Sequence, residues 1–167
     1  MKNQNTELKT ALVPEAAELL AWACESFGRR PIDIINGALF DSLTQAREEY
    51  DKNEMTNEVE HIHESITKAA RARQQMEDEA ILNKVHAQTQ PESSLLTVTL
   101  DKESSYFVNW YSRTFGRELA DVVSGTIMAE IPQAKDEYER DDMSNIIRGL
   151  EDCINEVCAK RKSEAVA

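Results

Sequence analysis

Apolar residues recur along the chain with two different spacings, and the same succession of spacings occurs twice. Around residues 8–12 and 96–100, apolar and polar positions alternate, which predicts a β-strand. Each alternating stretch is followed by apolar residues at helical spacing, and these predict two successive helices with Gly28 or Gly116 between them. The pattern therefore predicts the same order of elements, strand then helix then helix, in both halves.

Three apolar stripes define the predicted helices of each half. In the first half the stripes comprise Leu19, Leu20, Ala23 and Phe27, then Ile34, Ile35, Ala38 and Leu39, then Val59, Ile62, Ile66 and Ala69. In the second half they comprise Phe107, Val108, Tyr111 and Phe115, then Val122, Val123, Thr126 and Ile127, then Ile147, Leu150, Ile154 and Val157. Pro14 and Asp101 are expected to open the first helices, and Pro132 is expected to end or kink the second helix of the second half.

An internal repeat accounts for this duplication. "FGR" occurs at Phe27–Arg29 and again at Phe115–Arg117, 88 residues apart (116 − 28 = 88). At that offset 13 of the 45 residues from 6 to 50 are identical to their equivalents, with no gap. We call residues separated by 88 positions counterparts. The repeat predicts two similar units at 1–75 and 94–167, joined by a helical extension and linker at 76–93.

Composition limits the classes of protein and of site. The chain is 41% apolar and 30% charged, which is typical of a folded protein, and no apolar run is long enough to cross a membrane. The three cysteines, Cys24, Cys153 and Cys158, are expected to be reduced thiols in a cytoplasmic protein. His61 and His63 lie two residues apart, so they would not share a helix face as metal ligands do. No catalytic motif occurs, and we predict neither an enzyme nor a metal or cofactor site.

The order strand, helix, Phe-Gly-Arg, helix resembles the ribbon-helix-helix family, of which MetJ and Arc are members. The resemblance covers residues 6–45 and 94–132, and the tandem arrangement resembles a relaxosome protein of conjugative plasmids. The resemblance implies a mostly α fold, a tandem ribbon-helix-helix pseudo-dimer with a two-stranded antiparallel ribbon of residues 6–13 and 95–101. Each repeat would carry one extra C-terminal helix.

The resemblance also implies sequence-specific binding of double-stranded DNA by a transcriptional, plasmid or phage regulator. In that family, outward ribbon side chains contact base edges in the major groove, and the second helix begins at a phosphate. The residues carried over include Glu7 and Leu95 as outward ribbon positions. The DNA-contacting residues would be Lys9, Ala11, Thr97, Thr99, Arg29, Arg30 and Arg117. At the phosphate position the family's usual serine is replaced by Arg30 in the first half and by Glu118 in the second. Arg30 would help to hold a phosphate, Glu118 would repel it, and Pro31 has no N–H to donate.

The net charge of −12 supports an alternative, because an acidic protein does not bind nucleic acid by bulk electrostatics. The alternative is an antitoxin-like inhibitor or DNA mimic that binds a basic protein partner. Its docking patch would lie in two matching acidic runs. The acids are Glu48, Glu49, Asp136, Glu137, Asp141 and Asp142.

Three further points stay open at the level of the sequence. Trp22 and Trp110 suit a core position or a stacking platform. Arg29 and Arg117 suit phosphate ligands or caps of the preceding helix. The third helices would cover their own bundle, a partner or further copies in an oligomer.

Overall fold

The computed structural model describes residues 6–10, 12–52, 57–86, 96–140 and 145–166. Within these ranges it contains two short strands and six helices. In chain order the elements are β1 (Thr6–Thr10), α1 (Pro14–Phe27), α2 (Pro31–Asp51), α3 (Asn57–His86), β2 (Leu96–Leu100), α4 (Lys102–Phe115), α5 (Leu119–Glu139) and α6 (Asn145–Val166). The first two helices of each half start and end 88 residues apart, and α3 runs unbroken across the predicted boundary at 75.

The helix ends follow the predicted signals except at one proline. Pro14 is the first residue of α1, and Asp101 is the N-cap residue of α4. Gly28 and Gly116 end α1 and α4 in the left-handed conformation, with φ of 62° and 65°, which glycine adopts at little cost. Of the two alternatives for Pro132, ending or kinking its helix, the ending is wrong, because α5 continues through Pro132 to Glu139.

The predicted stripes form the core. Every member of the stripes assigned to the second and third helices is buried. The stripe of the first helices is buried less completely, since Leu19, Phe27, Phe107 and Phe115 keep part of their surface exposed while packing against the core. Helical periodicity therefore identified which faces turn inward.

The two halves interlock, because each third helix packs on the second helix of the other half. Gly125 of α5 lies against the backbone and side chain of Ile66 in α3, and its counterpart Gly37 in α2 lies against Ile154 in α6. The aromatic contacts are exchanged in the same way. Trp22 and Phe27 of α1 pack edge-to-face on Tyr138 of α5, and their counterparts Trp110 and Phe115 pack on Tyr50 of α2.

The strands pair antiparallel over five residue pairs, from Thr6 opposite Leu100 to Thr10 opposite Leu96. This ribbon is shorter than the strands predicted at 6–13 and 95–101, and it is a minor part of the structure. The core belongs mainly to six helices, including α3 and α6, which the resemblance treated as additions. The prediction of a ribbon-helix-helix pseudo-dimer is therefore corrected: the fold is mostly α, with six helices along the described ranges.

Candidate functional site

The ribbon brings together four polar residues that the sequence places far apart. In its register Lys9 is paired with its own counterpart Thr97, and Glu7 is paired with Thr99. Val98 is 2% exposed and faces the core, whereas Thr99 is partly exposed. Because strand positions alternate between the two faces, positions 7, 9, 97 and 99 form the face opposite Val98. Ala11 and Leu95 lie outside the described residues.

Asn36 of α2 holds the end of β2 in place and was not identified from the sequence. Its amide Nδ2 donates to the carbonyls of Ile32 (2.8 Å) and Thr99 (2.9 Å). Its Oδ1 accepts from the backbone N–H of Asp101 at 2.9 Å, and the side chain is fully buried. A polar residue inside the apolar stripe of α2 was the available signal, because a buried amide needs partners for its donors and its acceptor.

Replacing Asn36 by alanine is expected to release the end of β2 from α2. Two carbonyl acceptors and one N–H would lose their amide partner in a buried setting, which costs about 1–3 kcal/mol of unfolding free energy. Urea unfolding followed by circular dichroism measures the loss. Gln45→Ala, on the exposed side of the same helix, is the control and should change stability by less than about 0.5 kcal/mol. Equal stability of Asn36→Ala and the wild-type protein would contradict this role.

The arginines after the helix-ending glycines bind the third helices. Arg29 donates to Oδ1 of Asn155 in α6, and its counterpart Arg117 donates to Oγ1 of Thr67 in α3 at 2.9 Å. The sequence left two roles open for these arginines, phosphate ligand or helix cap. The structure adds a third, because each arginine connects one half of the chain to the other. Arg30 differs, because its side chain is 73% exposed while its Nε lies 3.4 Å from Asp33.

Charged side chains from α3 and from α5 itself surround the N-terminus of α5. Arg73 of α3 makes two bonds to the Asp121 carboxylate, at 2.8 and 3.0 Å, and lies 3.5 Å from Glu118. Glu118 is the N-cap residue and remains exposed. A carboxylate therefore occupies the region of this helix end where an anion would otherwise be favoured.

The acidic residues predicted as a partner patch have different surroundings. Glu48 and Asp136 are exposed, and Glu48 pairs with Lys52 at 3.3 Å. Glu137 accepts a bond from the N–H of Ile147 at 3.2 Å, so it caps the start of α6. Glu49 is partly buried, and its Oε2 has no hydrogen-bond partner in the described part of the chain. Asp141 and Asp142 fall outside the described residues.

The tryptophans line the sides of the helical core. Trp110 lies under the guanidinium of Arg47 at 5.0 Å, and Trp22 lies under the ammonium of Lys135 at 5.7 Å. Arg47 and Lys135 are themselves counterparts. Both indoles pack against the core and are partly exposed, so one side of each remains a surface feature.

His61 and His63 of α3 each make a polar contact with a helix of the other half. Nε2 of His61 lies 3.2 Å from the carbonyl of Ala129, and Nδ1 of His63 bonds to the hydroxyl of Tyr111. Burial lowers the pKa of His63, and the charge of Arg117 acts in the same direction. Among the residues that the structure describes, no group of three or more acidic, histidine or cysteine side chains is placed to hold a metal ion.

No described helix is both long enough and apolar enough to cross a membrane. Comparison with models of known protein families, with curated proteins and with solved structures found no match for this chain. The family assignment from the repeated Phe-Gly-Arg is therefore not supported, and the assignments to a ribbon-helix-helix tandem and to the relaxosome protein are withdrawn. The structure defines the chain as a mostly α protein whose two homologous halves are interlocked.

Proposed function

We propose that this protein binds double-stranded DNA through the face of the ribbon that carries Glu7, Lys9, Thr97 and Thr99. The observation that carries the proposal is the register, which pairs Lys9 with Thr97 and Glu7 with Thr99. A two-stranded ribbon fits the width of the major groove, and these side chains offer donors and acceptors for base edges. Since counterparts differ at these positions, the preferred DNA site would be asymmetric.

The anchoring of the ribbon supports the same proposal. Asn36 fixes the end of β2 to α2, and Val98 and Leu100 are buried beneath it. A ribbon held in this way keeps its contacting positions in one geometry, which lowers the entropy cost of binding. DNA as the ligand, and three cysteines that form no disulfide with one another in the described ranges, also favour a cytoplasmic location.

Duplex binding is tested with a random-sequence DNA pool and fluorescence anisotropy. We expect binding that weakens sharply between about 50 and about 200 mM salt, because phosphate contacts release counterions. Lys9→Ala should weaken binding by roughly 5- to 100-fold, the effect of losing one direct contact. Lys52→Ala is the control. It removes the same positive charge at the far end of α2, about 24 Å along the helix from Asn36, which holds the ribbon. This variant should bind DNA as the wild-type protein does.

The second candidate function is recognition of a basic protein partner. It is favoured by the arginines, because Arg29 and Arg117 each use part of their guanidinium to bond Asn155 and Thr67. The net charge of −12 acts in the same direction. If the wild-type protein shows no salt-sensitive duplex binding, the DNA proposal fails. Binding of an arginine-rich peptide, weakened by Glu48→Gln with Asp136→Asn, would then support this second candidate.

A further inference from the structure

A cavity of about 160 Å³ opens between the end of α1 and the middle of α6. It is lined by two apolar residues, Phe27 and Ile154, and by three polar ones, Arg29, Glu151 and Asn155. Arg29 is already bonded to Asn155 across it. The cavity therefore has an apolar side, a fixed guanidinium–amide pair and one carboxylate.

The other half of the molecule shows what fills the same position there. The counterparts of the wall residues are Phe115, Ile66, Arg117, His63 and Thr67. The ring of Tyr111 packs among them, with its centroid 4.6 Å from that of Phe115 and 5.3 Å from that of His63. Its hydroxyl bonds to Nδ1 of His63, and Tyr111 is fully buried.

Two substitutions between the halves remove this filling. The counterpart of Tyr111 is Ala23, which is fully buried, and the counterpart of His63 is Glu151. The phenol ring is therefore missing in the half that contains the cavity. A carboxylate stands at the position of the imidazole that bonds to the phenol hydroxyl in the other half.

We propose that this cavity binds a small, single-ring aromatic molecule that carries a hydrogen-bond donor, such as a phenol. The volume of about 160 Å³ is large enough for a single ring. Phe27 offers an edge or face for ring stacking, and Glu151 is an acceptor for an O–H or N–H donor. The Glu151 carboxylate repels an anionic ligand. The guanidinium of Arg29 offsets this repulsion only in part, because it already donates to Asn155. This site is independent of the proposed DNA face.

The test uses 4-methylphenol, which is the side chain of tyrosine as a free molecule, and methyl NMR of the isoleucines. We expect a saturable shift of the Ile154 methyl resonances and no shift of Ile66, which lines the filled counterpart site. Toluene has the same ring without the donor, and it should bind about tenfold more weakly, the effect of one hydrogen bond.

Two variants separate this site from general surface binding. Ala23→Tyr supplies the missing ring and should weaken 4-methylphenol binding at least about tenfold. Ala21→Tyr places the same side chain at an exposed position of α1 and should leave binding unchanged. Glu151→Ala keeps the cavity but should abolish the preference for 4-methylphenol over toluene.

Each contrary result would overturn the proposal. Absence of a saturable Ile154 shift would show that the cavity takes no such ligand. Equal shifts at Ile154 and Ile66 would show unspecific binding. Unchanged binding in folded Ala23→Tyr would place the ligand elsewhere. If Ala23→Tyr does not fold, a preference for 4-methylphenol that survives in Glu151→Ala would refute the assigned donor contact.

Discussion

Gly125→Ala is expected to lower the free energy of unfolding by about 3 kcal/mol or more. A Cβ atom at this position of α5 would lie 2.7 Å from the backbone nitrogen of Ile66 in α3, and closer still to its Cα and Cγ1. Backbone atoms cannot move aside as the end of a flexible side chain can. The two helices would have to separate, and the apolar contacts on either side of the crossing would be lost with them.

Two other glycines are matched controls for this effect. At Gly37 a Cβ atom would lie 2.5 Å from Cγ1 of Ile154 and 3.1 Å from its backbone, so Gly37→Ala should cost less than Gly125→Ala. At Gly149 the nearest atom is a carboxylate oxygen of Asp41 at 3.8 Å, so Gly149→Ala should gain up to about 1 kcal/mol of helix propensity. Thermal and urea unfolding measure all three. Equal stabilities of the three variants would contradict the close helix crossing.

Glu130→Gln is expected to stabilise the protein at pH 7, and the gain should disappear towards pH 4. Glu130 lies on α5 facing its own counterpart, Ser42 of α2, whose hydroxyl donates to Oε2 at 2.6 Å. The Glu130 side chain is buried, and Oε1 has no hydrogen-bond partner in the described ranges. Burial raises the pKa of the Glu130 carboxyl well above its usual value, and the nearby Asp41 carboxylate raises it further.

The direction of the pH dependence follows from this raised pKa. In the unfolded chain the pKa of Glu130 is near 4.5. Below that pH Glu130 is protonated in both the folded and the unfolded state, so its ionisation does not affect stability. As pH rises above that value, the unfolded chain releases the proton while the folded protein keeps it. The wild-type protein therefore loses about 1.4 kcal/mol per pH unit until the folded pKa is reached. Glutamine does not titrate and avoids this loss.

Urea unfolding at a series of pH values tests this expectation. The stabilities of Glu130→Gln and the wild-type protein should converge near pH 4 and separate towards pH 7. Glu139→Gln changes an exposed carboxylate of the same helix and is the matched control. Its curve should run parallel to that of the wild-type protein. A constant difference between Glu130→Gln and wild type at every pH would show that Glu130 has a normal pKa.

The polar cluster formed by Glu130, Ser42 and Asp41 also affects one thiol. Cys153 of α6 has its pKa raised to about 12, first by burial and then by the charge of Asp41. At neutral pH it therefore stays a thiol and is a poor nucleophile. The cluster is a group of polar residues within the helical core, and Cys153 beside it is not a reactive cysteine.

The sequence by itself determined which faces of the helices are buried, where α1 and α4 end, and that the chain contains two homologous halves. Apolar spacing and the glycines at 28 and 116 carry this information locally, because a helix face and a left-handed cap depend on neighbouring residues. The resemblance went beyond it and gave a family that the comparisons do not support. The sequence also predicted an acidic patch for a protein partner and a ribbon face for DNA, and both remain proposals.

Only the tertiary structure decided how the halves are joined and what each polar residue contacts. The exchange of Ile66 and Ile154 between halves, the anchoring of β2 by Asn36 and the bridges from Arg29 and Arg117 link residues that are remote in sequence. The contact between Ser42 and Glu130 and the cavity beside Phe27 involve counterparts that differ between the halves, and the sequence does not show which of these differences meet in space. The physical reason is that periodicity fixes the direction of a side chain relative to its own helix, whereas its partner is fixed by how helices cross.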